Sequence, residues 1–158
     1  MAEKLTIAAA QLGDQGKLGE LLLAIFGESL RAEEARERKV GIDTAPAEDT
    51  LMAADDFYFS QIDLMDCCFF ARAGERIVGA VAFNPYVSEV QYVAVLPEYR
   101  RQGLGRGLVE AAFSQAQKRG LSHLKVNIPA DFQAGAEKFF AALDFLEVRK
   151  SVLLGRKI

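Results

Sequence analysis

The sequence predicts an α/β (α+β) fold: one domain with a mixed, mostly antiparallel central sheet of six to seven strands and about four flanking helices. Segments with strand character alternate with segments of helical periodicity in the order β-α-α-β-β-β-α-β-α-β-β, which indicates helices on both faces of a mixed sheet. The 158 residues, 51% of them apolar, suffice for one hydrophobic core. No repeat or low-complexity linker divides the chain, so we expect a single domain over residues 1–158.

The first third of the chain reads as a strand followed by helices. Residues 4–10 predict the first strand, and Asp14 is placed to cap a helix with an apolar stripe. A polar stretch over residues 31–39 and a turn around Pro46 follow, and residues 47–63 predict a helical or irregular segment. The stripe of the first helix consists of Leu18, Leu21, Leu22, Ile25 and Phe26.

The rest of the chain alternates strands and helices. Gly74 and Glu75 predict a hairpin turn between two strands. Apolar residues at a spacing of four predict a helix that ends at Lys118–Gly120, and a spacing of three and four residues predicts a last helix capped near Asp131. The predicted strands are residues 67–73, 76–83, 89–95, 123–128, 145–148 and 151–157, and the two stripes are Leu104, Leu108, Ala112, Ala116 and Ala136, Phe139, Phe140, Leu143.

The charge distribution is uneven along the chain. The net charge is −3, but the segment from Glu28 to Asp66 holds 11 acidic and 4 basic residues, a net −7. The basic residues form no long stripe interleaved with aromatic residues, so we expect no nucleic-acid partner. The apolar runs are too short to span a membrane and the N-terminal residues show no signal-peptide pattern, so we expect a cytoplasmic protein with no membrane partner. The sequence leaves a homodimer open.

The cysteine and histidine content predicts no metal site. Cys67 and Cys68 are the only cysteines, and their apolar surroundings favour reduced thiols in a buried strand. His123 is the only histidine, which excludes a cluster of several histidine ligands and is typical of a residue at the edge of a strand.

The segment "PEYRRQGLGRG", residues 97–107, places three alternate glycines where an amphipathic helix begins. A glycine inside a helix costs about 1 kcal/mol relative to alanine, so the pattern indicates a function. The N–H groups from Arg101 to Arg106 at a helix start are suited to a phosphate or pyrophosphate. A P-loop is excluded because Leu108 follows Gly107, and a dinucleotide fold requires its third glycine where Leu108 stands.

The surrounding residues make the segment more specific. "VQYVAVLPEYRRQGLGRGLVEAAF" resembles the acyl-CoA-binding segment of the GNAT superfamily of N-acetyltransferases. Arg100, Gly103 and Gly105 occupy the positions of the family pattern, and the expected order of elements matches the family fold over essentially the whole chain. The resemblance implies a central sheet that splays at its middle strands, acetyl-CoA as cosubstrate without a metal, and a small-molecule or peptide amine as acceptor.

The resemblance also assigns roles to residues. It implies that the Val93 N–H faces the acetyl oxygen and that Val95 pairs with the pantetheine arm. Glu89 stands where one branch of the family carries a glutamate base, and its even spacing from Val93 predicts a shared strand face. Water is the alternative base, and Tyr58, Tyr86 and Tyr92 are weaker candidates. The predicted cofactor-binding residues are Val93, Ala94, Val95, Arg100, Arg101, Gln102, Gly103, Leu104, Gly105, Arg106 and Phe140; the predicted catalytic residues are Glu89 and Val93.

Departures near the C-terminus keep a second function open. Phe140, Asp144 and Gln133 stand where the family usually has tyrosine, glycine and asparagine. The chain is therefore either an N-acetyltransferase or a catalytically silent acyl-CoA-binding or regulatory module of the same fold. The charge of residues 28–66 predicts a cationic acceptor such as a polyamine, an aminoglycoside or a protein amine, with Asp55 and Asp56 as the preferred acceptor-wall residues.

Overall fold

The computed structural model describes residues 3–128, 133–152 and 154. The first nine predicted elements occur in the predicted order. They are β1 (Leu5–Ala9), α1 (Lys17–Lys39), α2 (Ala47–Phe59), β2 (Cys68–Ala73), β3 (Arg76–Asn84), β4 (Glu89–Val95), α3 (Leu104–Lys118), β5 (Lys125–Val126) and α4 (Gln133–Ala141), with short 3-10 helices at Leu12–Asp14, Ile62–Cys67 and Pro97–Tyr99.

The strands form one sheet in the order β1-β2-β3-β4-β5. The first three pairs are antiparallel and β5 runs parallel to β4, which confirms the predicted mixed sheet. The described residues form five strands rather than six to seven. The expected strand at residues 145–148 is absent, and Leu146 and Val148 are 87% and 88% exposed. β5, the edge strand that precedes these residues in the chain, is only two residues long and offers little backbone for pairing.

Two other C-terminal predictions lie partly or wholly outside the described residues. In the expected strand at residues 151–157, the described residues 151, 152 and 154 are not in a strand, and the others lie outside the described residues. The expected cap at Asp131 also lies outside the described residues. The final helix therefore has its described start at Gln133.

The helices cover both faces of the sheet. α1 and α2 pack together, and Phe59 of α2 stacks on Phe70 of β2 at 6.5 Å between ring centroids. α3 packs on the opposite face, where Leu108 approaches Gly79 of β3. The fully buried large side chains come from both layers: Tyr58, Phe70, Phe83, Leu18, Leu22, Leu51, Leu64, Leu108, Val78, Val81, Val90 and Val109.

The sequence predicts Asp14 as the cap of α1, but the helix start is capped by a residue of α2. The N-cap of α1 is Gly16, in the left-handed region with φ +88°. Its N–H donates to Asp55 Oδ1 at 2.8 Å, and the Gly19 N–H donates to Asp55 Oδ2 at 2.9 Å. Asp55 is fully buried and is a structural cap from 36 residues further along the chain.

Asp14 is held elsewhere. It ends the 3-10 helix Leu12–Asp14, accepts the Gln11 N–H at 3.0 Å and pairs with Arg72 at 2.7 Å. Burial raises the pKa of the Asp14 carboxyl, but the Gln11 hydrogen bond and the Arg72 guanidinium outweigh burial and lower the pKa below its ordinary value of 3.8.

The polar stretch over residues 31–39 is helical and forms the last turns of α1. Glu34 pairs with Arg38 one turn later at 2.7 Å, and Arg31 Nε donates to Glu48 of α2 at 2.9 Å. The Glu34–Arg38 pair supports α1 on its exposed side, and the Arg31–Glu48 pair joins α1 to α2.

Candidate active site

A cavity of about 1030 Å³ opens beside β4. The parallel ladder between β4 and β5 covers only the pairs Glu89–Lys125 and Val90–Val126, and beyond them the cavity lies between the two strands. This gap is the splay expected from the family resemblance. α1, α4 and the start of α3 complete the wall.

The free edge of β4 presents the backbone of Val93 and Val95 to this cavity. Leu96 N–H donates to Val78 C=O at 2.8 Å across the β3–β4 ladder, and Ala94 lies opposite Ala80. In an antiparallel pair, alternate residues direct their backbone groups towards and away from the partner strand. Leu96 and Ala94 therefore bond to β3, whereas the N–H and C=O groups of Val93 and Val95 point to the open edge. The expectation is wrong for the Ala94 backbone, which is directed at β3 and leaves only its side chain at the cavity.

The glycine segment forms the start of α3. Gly103 is its N-cap, with φ +79°, and Arg101 also has a positive φ, of 64°. The N-cap has no side chain, and the first helical bond runs from the Gly107 N–H to the Gly103 C=O at 3.0 Å. The N–H groups of Leu104, Gly105 and Arg106 thus have no partner within the helix, and they line the cavity with the positive end of the helix dipole.

A different physical reason favours glycine at each of the three positions. At Gly103 the backbone is left-handed, a conformation that glycine adopts without steric cost. A Cβ on Gly105 would lie 3.0 Å from the Phe139 ring, and a Cβ on Gly107 would lie 2.7 Å from Ile7 of β1. Only the first two positions border the cavity, so Gly107 serves the packing of α3 on the sheet.

The arginines of the segment are exposed and partly engaged. Arg100 Nε donates to the Val95 C=O at 2.9 Å, and Arg106 Nε donates to Glu110 at 3.0 Å. Arg100, Arg101 and Arg106 all line the cavity and give this end a positive charge. Gln102 is exposed beside them and does not belong to the lining.

A β-bulge in β4 changes where Glu89 points. Ala82 lies opposite Tyr92 and Phe83 lies opposite Val90, so Gln91 has no partner. Because directly opposite residues share a face, Glu89 lies with Asn84 on the face of α1 and α2, and Val93 lies with Val81 on the face of α3. The expected shared face of Glu89 and Val93 is therefore wrong. The inserted residue changes the parity, and the described lining of the cavity does not include Glu89.

The bulged residue is held by a buried tyrosine for which the sequence predicts only a weak role as a base. Tyr58 of α2 is fully buried, and its hydroxyl lies 2.8 Å from Gln91 Oε1. Burial raises the pKa of the Tyr58 hydroxyl far above its ordinary value, so the hydroxyl donates as a neutral group. Burial also raises the pKa of Tyr92. No local pattern pairs Tyr58 with Gln91, because 33 residues separate them.

Phe140 lies at the α4 wall of the cavity, as the resemblance implies. Its ring is 7% exposed and makes edge contacts with Phe139 and Phe145, each at 5.0 Å between centroids. It is both a packing residue and part of the lining.

The acidic segment does not form the expected acidic wall. Asp55 caps α1, and Asp66 binds Arg119 and Gln115 at 2.8 Å each. Asp56 is exposed and lies outside the lining. Among the described residues that line the cavity, Glu33 is the only carboxylate.

Two other features concern metal and membrane. Within residues 3–128, 133–152 and 154, no three His, Cys, Asp or Glu side chains form a group that could hold a metal ion. No helix in the described part of the chain is long and apolar enough to cross a membrane.

Cys67 and Cys68 are free and buried, and burial raises the pKa of the Cys67 thiol to about 12. His123 precedes β5, beside Ser122.

A family comparison agrees with this geometry. A model of the acetyltransferase (GNAT) family matches residues 29–145. This chain belongs to the GNAT family. The family and fold expected from the residues are thereby confirmed.

Relatives and solved structures extend the comparison. The GNAT chain is 40% identical over 55 residues to the [ribosomal protein bS18]-alanine N-acetyltransferase of Escherichia coli strain K12, a match that spans 35% of this chain and 36% of the relative. An aminoglycoside N-acetyltransferase in complex with CoA superposes with a TM-score of 0.70 at 15% identity over 100% of this chain and 98% of the other. A ribosomal-protein-alanine N-acetyltransferase from Brucella melitensis gives a TM-score of 0.61 at 18% identity, covering 96% and 99%. These structural likenesses show a shared fold.

Proposed function

We propose that this chain transfers an acetyl group from acetyl-CoA to a primary amine by direct attack in a ternary complex. The observation that carries the proposal is the juxtaposition of the Val93 and Val95 backbone edge with the unpaired N–H groups at the start of α3, both facing one cavity. Membership of the GNAT family and the N-acetyltransferases among its relatives support the reaction type.

Acetyl-CoA would bind in two stretches. The pyrophosphate fits the N–H groups of Leu104, Gly105 and Arg106, with arginine side chains adding charge. The pantetheine arm extends β4 as an added strand, pairing with the Val95 backbone. Arg100 Nε donates a hydrogen bond to the Val95 C=O in the structure. When the pantetheine arm binds, this hydrogen bond must be shared with the pantetheine or broken.

The chemical step forms a C–N bond and breaks a C–S bond. The amine lone pair attacks the thioester carbonyl carbon, and the Val93 N–H donates to the oxyanion. The attached nitrogen, now cationic, then loses its extra proton to solvent, and CoA leaves as thiolate. One such donor contributes about 3 kcal/mol. The thiolate departs without an acid at Phe140 at a cost of about 2 kcal/mol at pH 7, since a thiol pKa is near 8.5.

The amine must lose a proton before it attacks. An alkylammonium has a pKa near 10.4, so roughly one molecule in 2,500 is neutral at pH 7. Glu89 lies on the face of α1 and α2, opposite the face of the CoA pyrophosphate site, and we assign it as the base. Because Glu89 is outside the described cavity lining, an intervening water must relay the proton.

Calorimetry with acetyl-CoA and an assay of free CoA thiol test the proposal together. Gly105→Glu places a negative charge among the N–H groups and displaces the Phe139 ring, so acetyl-CoA affinity should fall more than tenfold. Gly13→Glu is the matched control, because a Cβ there meets nothing within 4 Å and the site is remote from the cavity. Equal affinity of Gly105→Glu and the parent would remove the pyrophosphate site. Binding without thiol release for any amine would make the silent module the function.

A further inference from the structure

One face of α1 forms the side of the cavity opposite the CoA pyrophosphate site. Ile25, Phe26, Ser29, Leu30 and Glu33 line the cavity from this helix. Their spacing keeps them on one side of the helix, and the nine residues from first to last span about 12 Å along its axis. The wall is thus apolar along most of its length and ends in a single carboxylate.

Glu33 is the one acid of the segment from Glu28 to Asp66 that lines the cavity. It is half-buried, and the described part of the chain offers it no hydrogen bond or ion pair. Glu34, Glu48, Asp55 and Asp66, by contrast, bind arginines or backbone N–H groups. A half-buried carboxylate to which the described residues supply no partner, at the rim of an apolar wall, is suited to a cation from outside the protein.

The charges on the two sides of the cavity are opposite. Arg100, Arg101 and Arg106 stand on the side of α3, and Glu33 stands on α1, which packs with α2 on the other face of the sheet. A substrate with several positive charges would find one counter-charge among the described lining residues. Its remaining ammonium groups would lie against apolar side chains or near arginines, which costs free energy.

We infer that the acceptor is a primary amine with one positive charge next to an apolar group, and that Glu33 binds its ammonium before transfer. The inference rests on the proposed function and assigns its substrate class. Glu33 acts in binding and the apolar face of α1 contacts the substituent beside the amine. Both a free arylalkylamine and a peptide with an apolar N-terminal residue have this chemistry.

Thiol-release kinetics at pH 7 test the inference with four acceptors: phenylethylamine, a peptide with N-terminal leucine, spermine and kanamycin. The parent should show kcat/KM at least tenfold higher for one of the first two than for either polycation, and the comparison of those two identifies the source of the amine. Glu33→Gln should raise the KM of that acceptor about tenfold with kcat within twofold, because the lost contact to the cationic nitrogen stabilises the ground state and the transition state equally. Glu33→Asp, which keeps the charge, should recover part of the affinity.

Glu37→Gln is the matched control, since it removes a half-buried carboxylate one turn further along α1 that does not line the cavity. Its kinetics should equal those of the parent. A polycation as the best acceptor, or an unchanged KM in Glu33→Gln, would overturn the inference while thiol release still supports acetyl transfer. Absence of thiol release by the parent with all four acceptors, together with acetyl-CoA binding that is also absent, would overturn both.

Discussion

Removal of the Asp55 carboxylate should destabilise the protein strongly, although the residue lies in a segment whose charge suggests substrate binding. Asp55 is fully buried and accepts two backbone N–H groups at the start of α1. Asp55→Ala leaves these donors without a partner and creates a small void. Hydrogen bonds to charged groups contribute about 1.5–3 kcal/mol each, so two give a loss of about 3–5 kcal/mol after water reaches the partly buried Gly16 N–H.

That loss is a large share of the total stability of a domain, which is about 5–15 kcal/mol. With a urea dependence of about 2 kcal/mol per molar, the unfolding midpoint should fall by about 2 M. The unfolding midpoint of Asp55→Asn should lie between those of the parent and Asp55→Ala, because an amide oxygen can accept one of the two N–H groups. Circular dichroism during urea titration measures all three proteins.

Asp56 provides the control, since it is adjacent, carries the same charge and is exposed. Asp56→Ala should change the free energy of unfolding by less than about 0.5 kcal/mol. Equal stability of the two alanine variants would refute the capping role. If Asp55→Ala raised the KM of the acceptor without changing stability, the result would support the predicted role of Asp55 in the acceptor wall.

Four further changes have defined outcomes. Tyr58→Phe should cost about 1 kcal/mol of unfolding free energy and lower kcat with little change in the KM for acetyl-CoA, because the bulge in β4 loses its anchor; Tyr86→Phe, at an exposed position, should do neither. Glu89→Gln should lower turnover roughly 10²- to 10⁴-fold at pH 7 and recover partly at higher pH, and an unchanged rate would leave water as the base. Phe140→Tyr should raise turnover at most about thirtyfold, and a gain above a hundredfold would mean that the parent is catalytically impaired. The folded state lowers the pKa of Asp14, so the Asp14 carboxylate stabilises the fold at pH values above its ordinary pKa of 3.8. This stabilisation is lost as the pH falls through the lowered pKa. The stability of Asp14→Asn should therefore depend less on pH in that range than the stability of the parent.

Local patterns in the sequence determine most of the fold. The strand at residues 89–95 has the bounds that its sequence predicts, and the helix after the glycine segment ends at Lys118 as expected. Period-two and period-3.6 patterns depend on neighbours within a few residues, which the chain carries with it. Gly103 adds that the residue at this position is the type that tolerates the positive φ observed there.

The tertiary structure alone decides the orientation of the site. The bulge at Gln91 reverses the faces of Glu89 and Val93, and its anchor Tyr58 comes from a helix 33 residues away. Asp55 becomes a cap and Glu33 becomes the carboxylate of the cavity wall only when α1 packs on α2 and beside β4. Each of these outcomes depends on cross-strand register or on contacts between distant segments. A sequence pattern fixes which residues share a face within an element, but a single inserted residue or a distant partner decides which face meets the cavity.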